Sequence, residues 1–223
     1  MDAARLITRP ALGATIFVAG LLATATPATL AQAPVVVPVE REPRHRPVFE
    51  NAVLAVIDVQ LPPGYESLFH THSNDNVSVR IETGPMRIDT LETTGTEQTA
   101  LVGRVVFNPA TPPYTHRVVN LGQTRIRILD VEILAKQPTP TALASDDLTG
   151  HEVIVDNPRV RISRIVLEPG DYLTDHTHAR GWLTAMVRGW PGAGQFSWQV
   201  GGSLARPIEA GPTGTERVEI EVK

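Results

Sequence analysis

Two stretches of this chain, 106 residues apart, carry the same residues in the same frame. Leu61, Pro63, Gly64, His70, Thr71 and His72 recur as Leu167, Pro169, Gly170, His176, Thr177 and His178, and Glu50-Asn51 is echoed by Asp156-Asn157. Self-similarity at a fixed period makes the chain two copies of one structural unit. Past the His pair the register slips by one, Gly84 matching Gly189, which predicts a one-residue deletion in the hairpin of the second copy. Between the copies, residues 136–150 include Pro138, Pro140, Ser145, Asp146 and Asp147 and read as a linker.

Each copy has the texture of β-structure. Short runs of Val, Ile and Leu alternate with Pro-Gly, Thr-Gly and Asn-Pro turn signals, and no stretch after residue 34 sustains the i, i+3, i+4, i+7 spacing of a substantial helix. Within the repeat, Pro-Gly makes a tight turn and the strand that follows carries His-x-His. Side chains at i and i+2 of a strand share a face, so both imidazoles of a pair enter one space and form half of a metal site. His45 and His151 lie outside this frame and read as surface residues.

The 223 residues contain no Cys, which excludes a disulfide scaffold, a thiolate nucleophile and Cys-based zinc sites. A formal charge of −4 without a basic stripe gives no nucleic-acid footprint. No Gly-x-Ser-x-Gly elbow, phosphate-binding loop or dinucleotide motif is present. Arg5 and Arg9, an apolar run from Ala11 to Leu22 and the small residues up to Ala33 have the layout of a secretory signal peptide. Cleavage is expected after Ala31, with Ala33 as the other small-x-small site and an uncleaved anchor as the competing reading. The expected organisation is therefore a leader (1–31), an extended Pro- and Arg-rich arm (32–47), a first unit (48–135), the linker (136–150) and a second unit (151–223). The mature chain is expected to be periplasmic or secreted, with no stable membrane anchor.

Gly64-x5-His70-x-His72, with Gly84 downstream, resembles the first motif of the cupins, and Gly103-x5-Pro109 followed by His116-x3-Asn120 resembles the second. The resemblance covers residues 48–134 well and 152–189 in part. It implies an all-β chain of two small antiparallel, jelly-roll-like barrels in tandem, a bicupin. It further implies that His70, His72 and His116 converge on one divalent metal, with Fe, Mn, Zn, Ni and Cu not distinguished. The Glu of the first motif is absent: the position seven before Gly84 is Val77, and alternation then puts Val77, Val79 and Ile81 on the inner face and Asn76, Ser78, Arg80 and Glu82 outside. Thr111 replaces a motif Gly, and Asp75 is the one nearby acid able to bend inward. Arg125, Arg127, Asp130 and Glu132 mark the solvated face of a last strand.

The second copy departs further. His176 and His178 remain, but Trp182 stands in the Glu place and Arg217 in the place of the third His, so a metal there would need Asp171 or Asp175. It reads as a degenerate barrel, with Trp182, Trp190 and Trp198 as core or as a stacking wall for a sugar or aromatic ligand. The functional expectation is a metal-dependent dioxygenase or related enzyme acting on a small organic molecule, with no evident protein base. The rival is a non-catalytic binding protein for a sugar-like molecule or a metal. A homodimer through the sheets and a pairing of the two barrels within one chain are both open.

Overall fold

A computed structural model describes residues 33–137 and 146–223; the leader and most of the linker lie outside the described residues. The first half comprises β1 (Val36–Pro38), β2 (His45–Glu50), β3 (Leu54–Leu61), β4 (Phe69–His72) and β5 (Asn76–Glu82). It continues with β6 (Pro85–Asp89), β7 (Glu97–Thr99), β8 (Val105–Asn108), β9 (Tyr114–Asn120) and β10 (Ile126–Ile133). These form two five-stranded sheets, β1-β4-β9-β6-β7 and β2-β3-β10-β5-β8. The segment read as an arm thus supplies β1, a 3-10 turn over Val39–Arg41 and the start of β2.

The second half runs β11 (Glu152–Asp156), β12 (Val160–Leu167), β13 (Tyr172–Leu173), β14 (His176–Thr177), β15 (Trp182–Arg188) and β16 (Phe196–Gln199). It ends with β17 (Leu204–Ala205), β18 (Ile208–Glu209) and β19 (Thr215–Val222). One sheet, β11-β12-β19-β15-β16, matches its counterpart strand for strand, while the other is cut down to the ribbons β13-β18 and β14-β17. The repeated Pro-Gly turns are present in both halves, with Gly64 at φ +70 and Gly170 at φ +87, a backbone region that favours glycine. The structure is all-β, and among the described residues no helix is long and apolar enough to cross a membrane.

The long strands are buried on both faces. On β3, Leu54 and Val56 point one way and Ile57, Val59 and Leu61 the other, and all five are at most 3% exposed. Leu54 and Val56 join Val77, Val79, Leu129 and Val131 in one core with Val160, Ile162, Leu183, Ala185, Val218 and Ile220 of the second half. The two complete sheets therefore pack on each other within the chain, while Ile57, Val59, Leu61, Val118, Ile126 and Ile128 fill the first half's own interior. Polar bridges cross the same boundary. Arg159 Nε lies 2.7 Å from Asp75 Oδ2, and Arg164 donates to the Gly103 carbonyl at 2.6 Å. Asp75 is thereby committed to the other half and to the Ala110 amide rather than to the barrel interior.

This packing reverses the expected faces of β5. Val77 and Val79 lie against the second half, whereas Asn76, Ser78 and Arg80 line the first cavity. Alternation was legible, but the sheet has two buried faces, and the apolar one meets the other half. The register slip also sits elsewhere. Asn76 pairs with Glu132 as Trp182 pairs with Glu221, so the 106-residue offset persists into β15. The deleted residue falls after β15, and counting back from Gly84 therefore selects Val77 in place of Asn76. Val77→Glu should place an unpaired charge between the halves and cost about 3–5 kcal/mol in urea unfolding. Ser78→Ala, inside the cavity, should change stability by less than about 1 kcal/mol.

Candidate metal centre

Strand pairing brings the three predicted histidines of the first half together. β4 and β9 are antiparallel neighbours, and His70 stands directly opposite His116, with His72 two residues along on the same face. One ligand atom from each of the three lies within 4.8 Å of the others. Their rings are 4.5 Å apart for His70–His116, 5.1 Å for His72–His116 and 5.4 Å for His70–His72.

Hydrogen bonds fix which nitrogen His70 and His72 present. The Leu68 carbonyl accepts from His70 Nδ1–H at 3.0 Å, leaving His70 Nε2 buried with no partner. Glu132 Oε1 accepts from His72 Nδ1–H at 2.7 Å, with Asp130 Oδ2 3.7 Å away. A carboxylate behind an imidazole holds the tautomer and makes the far nitrogen a better donor to a cation. Asp130 and Glu132, expected on a solvated face, are only 5% and 3% exposed. They alternate inward because the opposite face of β10 is taken by Leu129 and Val131 in the shared core. Asn76, at the register of the absent motif Glu, donates to the Tyr114 hydroxyl at 2.6 Å.

A fourth imidazole was missed. His45 on β2 is 5% exposed, its Nδ1–H donates to the Val39 carbonyl at 3.1 Å, and its ring meets that of His70 edge-on at 4.4 Å. The cavity beside these rings has a volume of about 300 Å³ and is polar on one side, with Arg80, Arg104, Asn108, Tyr114 and Asp130 in its wall. The interior is therefore not the apolar pocket expected from Val77, and it holds an acid group.

Burial lowers the pKa of His45 to about 3 and that of His70 to about 4, and His116 falls well below its ordinary value for the same reason. Burial also acts on His72, but the Glu132 hydrogen bond and the Asp130 charge reverse its shift upward. Desolvation raises Asp130 to about 7. Neutral His70 and His116 can donate to a cation as they stand, whereas His72, whose pKa is raised, must first give up its Nε2 proton.

In the second half, His176 and His178 are buried side by side, 5.3 Å between rings. Asp171 and Asp175, weighed as their companions, are exposed. Instead His151, whose side chain is fully buried, and Glu219 complete the group, with ligand atoms all within 4.8 Å of one another. Reading His45 and His151 as surface residues was wrong, and the sequence held the signal: the two are separated by the same 106 residues as the His pairs. Arg217 is not the counterpart of His116. Ala205 stands opposite His176 as His116 stands opposite His70. Trp182 packs on His178 at 4.3 Å and lines a cavity of about 500 Å³ with Trp190, while Trp198 packs against the shared core, so the three indoles do not share one wall.

No protein-family profile and no curated protein sequence matches the chain. Solved structures do. AerE from Microcystis aeruginosa superposes at TM-score 0.55 and 10% identity, covering 82% of this chain and 98% of its own. YhhW from Escherichia coli gives TM-score 0.54 at 14% identity, over 80% of this chain and 89% of its own. A salicylate 1,2-dioxygenase from Pseudaminobacter salicylatoxidans gives 0.52 at 11% identity, over 76% and 71%. Likeness at this level of identity shows the fold, and the fold is that of the cupins.

The lowered imidazole pKa values set a pH window. His45 and His70 bind a proton more readily in the unfolded chain, so metal-free protein should lose stability as pH falls from about 6.5 toward about 4. His178, which Glu219 and Glu221 raise to about 9 against its burial, acts with the opposite sign between about 6.5 and 9. Thermal unfolding midpoints against pH, measured in a chelator, should show the acid-side loss flatten in His45→Gln.

Proposed function

We propose that the first half binds a divalent metal through His70, His72 and His116, accepts a small organic acid in its cavity, and supports metal-dependent oxygenation of that acid. The observation that carries the reading is the trio of converging imidazoles, His70 and His72 buried and His116 half-buried, with His70 Nε2 unpartnered. Buried polar atoms are ordinarily satisfied, and a cation among three ring nitrogens satisfies this one. The ion would supply Lewis acidity and, if redox-active, a place for dioxygen to react. Iron suits that reaction, although three imidazoles alone do not choose among first-row metals.

The chain's own groups do the rest. Leu68 and Glu132 hold His70 and His72 in the donor tautomer. Arg80, with its Nε buried and unpartnered, and Arg104 present positive charge to the cavity. An arginine fork with unused donors in a pocket of about 300 Å³ suits a carboxylate on a small molecule. The salicylate 1,2-dioxygenase named above shares the fold and acts on such an acid, which supports the proposal by analogy of architecture. Residues 1–31 extend the proposal to export into the periplasm or medium, and detection of the full-length chain only in the cytosolic fraction would refute that part.

Untagged protein should retain metal after dialysis, and His116→Ala should lower the content by one equivalent. Glu132→Gln should weaken Zn²⁺ binding by about 10–100-fold in competition with a chelator. Oxygen uptake should appear with a member of a panel of aromatic and aliphatic hydroxy acids, and Arg80→Ala should raise its KM about tenfold or more. Protein that binds these acids equally well without metal, and consumes no oxygen with any of them, would make the first half a binding pocket and end the enzymatic reading.

A further inference from the structure

We propose that the second half is a metal site in its own right, holding a divalent cation between His151, His176, His178 and Glu219. The resemblance to the cupin motifs gives no such site, because Trp182 stands at one of the two remaining motif positions and Ala205 faces His176 where His116 faces His70. The donors come from elsewhere in the fold. His151 enters from the segment leading into β11 and Glu219 from the middle of β19. The side chain opposite His176 is Ala205, so the strand that supplies His116 in the first half supplies no ring here.

Glu219 Oε2 is the centre of the group. It lies 3.0 Å from His151 Nε2, 2.9 Å from His178 Nε2 and 3.8 Å from His176 Nε2. Nitrogen and oxygen donors about 2.0–2.1 Å from a tetrahedral ion stand about 3.3 Å apart, so these separations bracket the edges of one coordination shell. Arg217 Nη2 is 2.7 Å from the other oxygen, Oε1, and leaves Oε2 to the imidazoles.

Hydrogen bonding alone leaves this arrangement unsatisfied. His151 Nδ1–H donates to the Thr149 carbonyl at 2.9 Å and His176 Nδ1–H to the Thr174 carbonyl at 3.3 Å, which aims both Nε2 atoms at Glu219. A carboxylate oxygen has two lone pairs and cannot accept from three rings. Of the three rings, His151 Nε2 makes the hydrogen bond to Glu219 Oε2, and His176 Nε2 and His178 Nε2 are both buried and unpartnered, in side chains that are 1% and 3% exposed. One cation among the four donors uses every one of these atoms. Three imidazoles and one carboxylate select a borderline first-row ion such as Zn²⁺, Co²⁺ or Fe²⁺ over Mg²⁺ or Ca²⁺.

The test is Zn²⁺ stoichiometry after loading and dialysis of untagged full-length protein, with circular dichroism confirming the fold of each variant. Wild type should retain about two equivalents. His151→Ala and the near-isosteric Glu219→Gln should each retain about one, as should His116→Ala, whose remaining equivalent belongs to the second half. Co²⁺ added to His116→Ala should give the visible absorption of a low-symmetry site, and adding Glu219→Gln should abolish it. Undiminished Zn²⁺ in His151→Ala and Glu219→Gln, or a featureless Co²⁺ spectrum in His116→Ala, would overturn the second site and leave the first untouched. In that event the four residues are a charge-paired structural cluster.

Discussion

The apolar packing of one complete sheet on the other is the constraint from which the rest of the molecule follows. Leu54, Val56, Val77, Val79, Leu129 and Val131 meet Val160, Ile162, Leu183, Ala185, Val218 and Ile220, and each Val, Leu or Ile side chain removed from water contributes about 1.5–3 kcal/mol. Because this layer lies outside both barrels, their interiors need not be uniformly apolar. The opposite faces of the same strands can then carry Asn76, Ser78, Arg80 and Asp130 in the first half and Trp182, Thr184, Met186 and Glu219 in the second. A solitary barrel of this size would have to spend those positions on its own core.

The two halves solve a common problem with different residues. Both aim imidazole Nε2 atoms inward by tying Nδ1 to a backbone carbonyl, at Leu68 for His70 and at Thr174 for His176. Both place two buried acids on the last strand. Asp130 stands opposite Ile57 and Glu219 opposite Ser163, and Glu132 opposite Ala55 and Glu221 opposite Arg161, the residues they face being one 106-residue repeat apart. The difference lies in the third ring. In the first half it comes from β9 as His116, and in the second the corresponding strand offers Ala205 and the ring comes from His151. The donor sets thus differ in charge: three neutral rings in one half, three rings and a carboxylate in the other.

Much of this was legible in the sequence, and the misreadings share a cause. The duplication, the all-β architecture and the facing of His70 and His72 follow from spacing, since a strand's period is two and a repeat's offset is fixed. His116 could be named only through a motif, because spacing says nothing about which distant strand pairs with β4. The faces of β5 were inverted because alternation separates two sets of side chains without saying which set meets solvent, cavity or a second sheet. Asp130 and Glu132 were placed in water for the same reason. Arg217 was put in the place of Ala205 by counting along a segment that the second half has shortened, where only pairing in space shows the true equivalent. His45 and His151 were recoverable: they keep the 106-residue interval and were set aside only because no motif includes them.

The layer shared by the two sheets also ties the fate of each half to the other. Neither can be cut away without baring the apolar face of the other's sheet, so each half is expected to depend on its partner to stay folded. Loss of structure is then expected to proceed as a single event. Whatever is held tightly at one end of the molecule protects the other end from melting, although the two cavities share no ligand.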